Sequence, residues 1–289
     1  MSLSALRAAA AARRRCVAPA LAALLLAACS MGPEMPPVDP GFEAPLHSEG
    51  PLAYRTAPAN QGGSASPADA ARPLLVLIHG TPGSADNFRW YLADAALAQH
   101  YDMLAMDRPG FGRSDVPVMP DLELQAHQLI SLLPPDQPLQ LLGHSLGAPL
   151  ALWLAFLLPE RVQGLTLVAG SLDPAFEQPR WYNRLADNAL GRWLLPREWE
   201  HANAEVLALA EQLEALLPAM GKIRAPVLLI QGEQDSLVDP RSPQALLQRL
   251  PADTRREVLR LPEAGHFLLW EQPEQVRDAL LRFHAGATR

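Results

Sequence analysis

Cysteine, basic charge and membrane-length apolar segments are all in short supply in this sequence. The 289 residues include two cysteines, too few for a disulfide framework or a multi-thiolate zinc site. Both, Cys16 and Cys29, fall in the first tenth of the chain. Lysine and arginine number 24 against 31 acidic residues, a net charge of −7, and that balance argues against a surface built to hold nucleic acid. The apolar stretch from Val17 to Ala28, interrupted by Pro19, falls short of the roughly 20 residues that span a bilayer. There is no internal repeat, and His47, His100, His127, His201 and His284 show no ligand spacing, so no metal is expected. What is present is the composition of a folded protein: 49% hydrophobic and 19% charged residues, in a length that suits one large domain or two small ones.

The N-terminus is expected to be an address. Residues 1–28 carry Arg7, Arg13, Arg14 and Arg15 and no acid, then the short apolar stretch and small residues, the pattern of a secretory signal. Leu26-Ala27-Ala28-Cys29 resembles the lipobox of bacterial lipoproteins, which implies cleavage before Cys29 and a lipid (palmitate-type acyl chains) on its sulfur. An ordinary cleaved signal with a coincidental cysteine is the alternative. Cleavage would remove four arginines and leave 20 basic residues against 31 acidic, a net charge of −11. Several acyl chains hold a protein on a membrane where one is marginal. The resemblance places the protein in the bacterial cell envelope, and Ser30 in place of Asp after Cys29 points to the outer membrane, facing the periplasm. Residues 29–40 are proline-rich and form a tether, 41–289 form the folded domain, and the Gly/Pro/Ser-rich stretch 57–73 is a surface loop within it.

From there apolar runs alternate with helical patterns. Leu74–Ile78 is short and continuously apolar, as in a strand buried on both faces, and Met103–Met106, Leu139–Leu142, Leu165–Val168, Val227–Ile230 and Val258–Leu261 repeat the theme. Helices are expected at about 84–99, 121–133, 145–158, 241–250 and 273–284. The alternation predicts an α/β fold with a mostly parallel sheet flanked by helices. Residues 171–220 are long for a plain crossover and hold Trp181, Tyr182, Trp193 and Trp199, which suggests a helical lid over a site or, equally, aromatic glue to the body.

In an open parallel sheet, ligands sit at the carboxyl ends of strands. Four such ends carry reactive chemistry. Gly143-His144-Ser145-Leu146-Gly147 follows one strand and opens an apolar helix, the context of an exposed nucleophilic serine on a tight turn. His79-Gly80-Thr81-Pro82-Gly83 follows another, and the amides of Thr81 and Leu146 are the candidate oxyanion donors. Asp235, with Asp239 in reserve and Asp173 less favoured, is the candidate acid that orients a histidine. His266, after the last strand and a glycine, is the candidate base. His144 and His79 are expected to pack and hold loops.

With His79-Gly80, Asp107-Arg108-Pro109-Gly110-Phe111-Gly112-Arg113-Ser114, Gly143–Gly147, Gly232–Asp235 and Gly265-His266 in this order, the chain from about 41 to 286 resembles the α/β-hydrolase superfamily, in its branch with a short helical cap. The resemblance implies a Ser145-Asp235-His266 triad and no metal or organic cofactor. It also implies that Asp107–Ser114 supports the site. The loop 57–73 is longer than usual there and leaves the pairing of the edge strands open.

Serine at the elbow, where dehalogenases and epoxide hydrolases of this superfamily carry aspartate, favours acyl transfer to water. The leading expectation is a membrane-tethered hydrolase of carboxylic esters or related acyl compounds, with a small, apolar substrate. An amidase or aminopeptidase-like hydrolase and a haloperoxidase-like perhydrolase share the triad. A non-catalytic envelope binding module is the reading from another class.

Overall fold

The structure is a computed structural model that describes residues 33, 35–58 and 72–285. The expected signal, Cys29, the start of the tether and most of the 57–73 loop lie outside the described residues. Eight strands form one sheet: β1 (Leu46–Glu49), β2 (Leu52–Thr56), β3 (Leu74–Ile78), β4 (Asp102–Met106), β5 (Leu139–His144), β6 (Val162–Val168), β7 (Val227–Gly232) and β8 (Arg256–Leu261). Their order is β1-β2-β4-β3-β5-β6-β7-β8. The first two pair antiparallel with their neighbours, and all later pairings are parallel.

Side-chain alternation along the strands divides the core in two. Val76, Ile78, Leu104, Met106 and Leu141 face one layer, which holds α1 (Leu122–Ile130), α2 (Gly147–Leu157) and the inner stripe of the cap helix. Leu75, Leu77, Met103, Ala105 and Leu142 face the other, closed by the C-terminal helix through Val276, Ala279, Leu280 and Phe283. Both faces are covered, which is why β3 is apolar without a break and its neighbours are largely so.

Two departures from the expected elements have local causes. The hairpin β1–β2 escapes sequence reading because all four residues of β1 are exposed, so no apolar alternation marks it. The helix expected over 84–99 is broken into a 3₁₀ turn, Ala85–Phe88, and two short helices, Arg89–Ala93 and Ala95–His100. Asp94 sits extended between the two helices, and its carboxylate accepts the Leu97 amide at 2.8 Å. An aspartate in that conformation starts a helix and so cannot continue one.

Residues 171–220 are helical over most of their length: α3 (Trp181–Ala186), α4 (Ala189–Leu194) and the 24-residue α5 (Arg197–Met220). Leu209, Leu213 and Leu216 of α5 reach the main core. The last helix, α6 (Pro273–Ala285), carries His284, buried against β6, its Nε2 3.1 Å from the Thr166 hydroxyl.

Burial holds the His284 pKa down to about 4. The unfolded chain binds that proton first as pH falls, so folding stability contributed here is present above pH 6.5 and lost between 6.5 and about 4. Denaturant titrations at pH 7 and pH 4.5 are expected to show a smaller acid-induced loss for His284→Gln than for the parent chain. An equal loss would remove this residue from the account.

Candidate active site

β5 runs directly into the turn at Ser145. The residue has φ +54°, a left-handed conformation that costs a side-chain-bearing residue of order 1–3 kcal/mol. Its backbone is held on three sides. The amide donates to Val168 O at 3.0 Å, and the carbonyl accepts from Ala148 N at 3.0 Å and Ser171 N at 3.3 Å. Glycine is required at 143, where a Cβ would lie 2.3 Å from the Gly147 carbonyl oxygen. α2 starts at Gly147 with Leu146 as its cap residue and no side chain bonding to that end. The amide end of an uncapped helix thus stands at the serine, where it favours negative charge.

The turn after β3 lies alongside. A Cβ added to Gly80 would stand 3.3 Å from Ser145 Oγ, so this glycine lets the backbone reach the hydroxyl. Thr81 and Ser145 border the same cleft of about 290 Å³, together with His266, Trp199, Leu237 and Trp270. Among the described residues no carboxylate lines it.

On the far side His266 Nδ1 donates to Asp235 Oδ2 at 2.8 Å. The acid is fully engaged: Oδ1 accepts the amides of Leu237 and Val238, both at 2.9 Å, and Oδ2 also accepts Gln231 Nε2 at 3.3 Å. A carboxylate is acceptor-only, so this bond places the ring proton on Nδ1 and leaves Nε2 free to accept. The geometry therefore brings Ser145, Asp235 and His266 to one place and gives the two alternative acids, Asp239 and Asp173, other partners. Asp239 pairs with Arg241 at 2.7 Å, which holds its carboxyl down to about 2. Asp173 accepts the Ala175 amide and caps the short turn Pro174–Phe176.

The other two histidines near the site are buried and neutral. His144 donates from Nε2 to the His266 carbonyl at 3.1 Å and packs edge-on against Trp270. Burial, then the neighbouring His266, brings its pKa to about 3. His79 donates from Nδ1 to Gly80 O at 2.7 Å and accepts the Arg108 amide on Nε2 at 3.1 Å. Burial and then the Arg108 charge push its pKa well below the usual histidine range.

Sequence reasoning gave Asp107–Ser114 a supporting place at the site but not its partners, and Arg108 in that segment holds the loop after β3. Arg108, fully buried, donates to the carbonyls of His79 (3.0 Å) and Gly80 (2.8 Å). The same guanidinium forms a two-pronged pair with Glu205 on α5, at 2.6 and 3.0 Å. Gln125 on α1 completes the network, accepting from Arg108 and donating to Glu205. A signal was available: Glu205 interrupts the buried stripe Ala202, Leu209, Leu213, Leu216 of its helix, where an acid needs a partner. Glu177 lies beside Ser171 and near Asp235. Burial raises its carboxyl to about 7.

Comparison with known proteins gives the family. The α/β-hydrolase fold model matches residues 73–216, and a serine aminopeptidase (S33) model matches 200–273. RutD of Pseudomonas savastanoi pv. phaseolicola, which carries a provisional name as a carbamate hydrolase, is 30% identical over 73% of this chain and 93% of its own. The pimeloyl-[acyl-carrier protein] methyl ester esterase of Aeromonas salmonicida is 29% identical over 74% and 96%. A dihydrolipoyllysine-residue acetyltransferase component of the acetoin cleaving system of Pseudomonas putida is 30% identical, and the chain spans 62% of its length. Among solved structures, a bacterial membrane phospholipase A aligns over 99% of this chain and 97% of its own, with TM-score 0.61 and 24% identity, a likeness of fold. The chain belongs to the α/β-hydrolase fold family.

Removing one partner of a buried ion pair leaves an uncompensated charge and typically costs about 3–5 kcal/mol, whereas an apolar replacement of both is often neutral. Urea denaturation is expected to show such a loss for Glu205→Ala and recovery of most of it in the double variant Arg108→Met with Glu205→Leu. A Glu205→Ala protein as stable as the parent would contradict the network's structural role.

Proposed function

We propose that this protein is a serine hydrolase that cleaves carboxylic esters through an acyl-enzyme. Ser145 attacks the carbonyl carbon while His266 Nε2 takes the hydroxyl proton, and Asp235 stabilises the resulting imidazolium. The oxyanion lies between the amides of Thr81 and Leu146. His266 returns the proton to the leaving alcohol, then activates water for attack on the acyl-enzyme, and the acid product leaves with Ser145 restored. The observation that carries this reading is the Asp235–His266 bond in a cleft shared with the strained Ser145. The named relatives that act on a methyl ester and, provisionally, a carbamate are in keeping with it.

Esters are favoured over substrates with a free amine because the cleft lining is uncharged and aromatic. Glu177, Asp187 and Glu198, the acids that could have drawn an amine, are not among its lining residues, and Asp187 pairs with Arg192 at the surface. The substrate is a small apolar acyl compound, since Trp199, Leu237, Phe267 and Trp270 border the cleft. We further propose that Cys29 carries lipid and holds the enzyme on the outer membrane, facing the periplasm, after removal of residues 1–28. The support is the Leu26–Cys29 sequence at the end of the apolar stretch.

Hydrolysis of p-nitrophenyl esters of graded chain length tests the chemistry. Asp235→Asn is expected to lower kcat by about 10⁴, the scale seen when a triad acid is neutralised, and Asp239→Asn to leave it within a factor of a few. Equal effects of the two, or no turnover of any ester by the folded parent, would overturn the assignment. Palmitate incorporation in cells is expected in the parent and absent in Cys29→Ala; persistence in that variant would reject the anchor.

A further inference from the structure

The outer face of the cap is apolar and basic at once. Trp181 is 67% exposed, Leu190 63%, Leu185 52% and Trp193 41%. They lie within thirteen residues of chain on α3 and α4. Arg180, Arg184, Arg192 and Arg197 stand exposed among them. Over residues 180–197 these four arginines face one acid, Asp187, so the segment has a charge of +3 on a chain whose net is −7. Exposed tryptophan and leucine ringed by arginine match the two parts of an anionic bilayer surface: apolar side chains enter the acyl boundary while the guanidinium groups meet lipid phosphates. A patch of this kind on a soluble domain calls for a partner.

The α3 end of the face is tied to α5 and reaches the edge of the cleft. Asn183 on α3 and Asn203 on α5 exchange two bonds, at 2.9 and 3.0 Å. Arg180 donates to Ser236 O at 3.1 Å, next to Leu237, which is 36% exposed and lines the cleft. α5 follows α4 within the chain and carries Trp199 into the same cleft. Membrane contact at α3 and α4 therefore brings the cleft mouth close to the bilayer surface.

We propose that α3 and α4 form a docking face for an anionic lipid bilayer. This face stands apart from both the hydrolytic reading and the Cys29 anchor. If the hydrolytic reading also holds, it fixes the source of substrate: an ester dissolved in the membrane, entering the cleft from the bilayer side.

The test uses the full chain with Cys16→Ala and Cys29→Ala, so that no lipid anchor forms and one label can be placed. Leu190→Cys carries an environment-sensitive nitrobenzoxadiazole label, and Leu124→Cys, exposed on α1 outside the cap, is the control. Vesicles of phosphatidylethanolamine and phosphatidylglycerol are expected to raise emission at position 190 by about twofold or more with a blue shift, as for a group entering the acyl boundary, and to leave position 124 at its level in buffer. Arg184→Gln with Arg192→Gln is expected to weaken vesicle affinity by about thirtyfold while hydrolysis of a short soluble ester is unchanged. Three results would overturn the proposal: no response at 190, equal responses at 190 and 124, or a response at 190 that grows with protein concentration without vesicles. The last would assign the face to a second copy of the chain.

Discussion

The guanidinium of Arg108 is the point through which the sheet, the loop after β3 and the cap are joined. It is fully buried, and its charge is met by Glu205 from α5, 97 residues further along the chain. Its remaining donors hold the carbonyls of His79 and Gly80. A buried cation cannot be left unpaired, so the position of the cap helix and the shape of the loop beside Ser145 are not independent. The ion pair need not add to net stability to have this effect, because its contribution is to exclude arrangements in which α5 is displaced. The second cap contact, from His201 Nδ1 to Gly110 O at 2.7 Å, ties the same helix to the loop that carries Arg108. The inner half of the cap is thereby part of the core, and its outer helices α3 and α4 are what faces solvent.

Around this frame, histidines of the same type do different work because their surroundings differ. His79 and His144 are wrapped in protein and have lost the ability to take a proton near neutral pH. Each spends its N–H on a carbonyl, His79 on that of Gly80 and His144 on that of His266. His266 alone of the three has a carboxylate on Nδ1. Glu177 adds a carboxyl raised to about 7 by burial. Its folded pKa lies above the unfolded value, so it disfavours the fold increasingly as pH rises from the carboxylate range to about 7.

Much of this was legible in the residues. The six parallel strands were visible as short, largely apolar runs, clearest at β3, where burial on both faces leaves no polar position. Ser145 and His266 were visible because a serine between glycines and a histidine after a glycine each followed a strand. Asp235 and Asp239 could not be separated by spacing. Geometry separates them: the Leu237 and Val238 amides and Gln231 orient Asp235, while Arg241 takes Asp239. The β1–β2 hairpin left no trace because its outer strand is wholly exposed. Arg108 and Glu205 left only half a trace, an acid in an apolar stripe, because their partnership is made by the fold across distant segments.

The account rests on one atom, the hydroxyl oxygen of Ser145, acting as a nucleophile toward an electrophilic acyl centre. Intact-mass spectrometry of the full chain after exposure to a fluorophosphonate tests it most directly. The account predicts a single adduct that peptide mapping assigns to Ser145, absent in Ser145→Ala and much slower to form in His266→Ala. A folded parent protein that takes up no adduct, or an adduct that persists in Ser145→Ala, would contradict it.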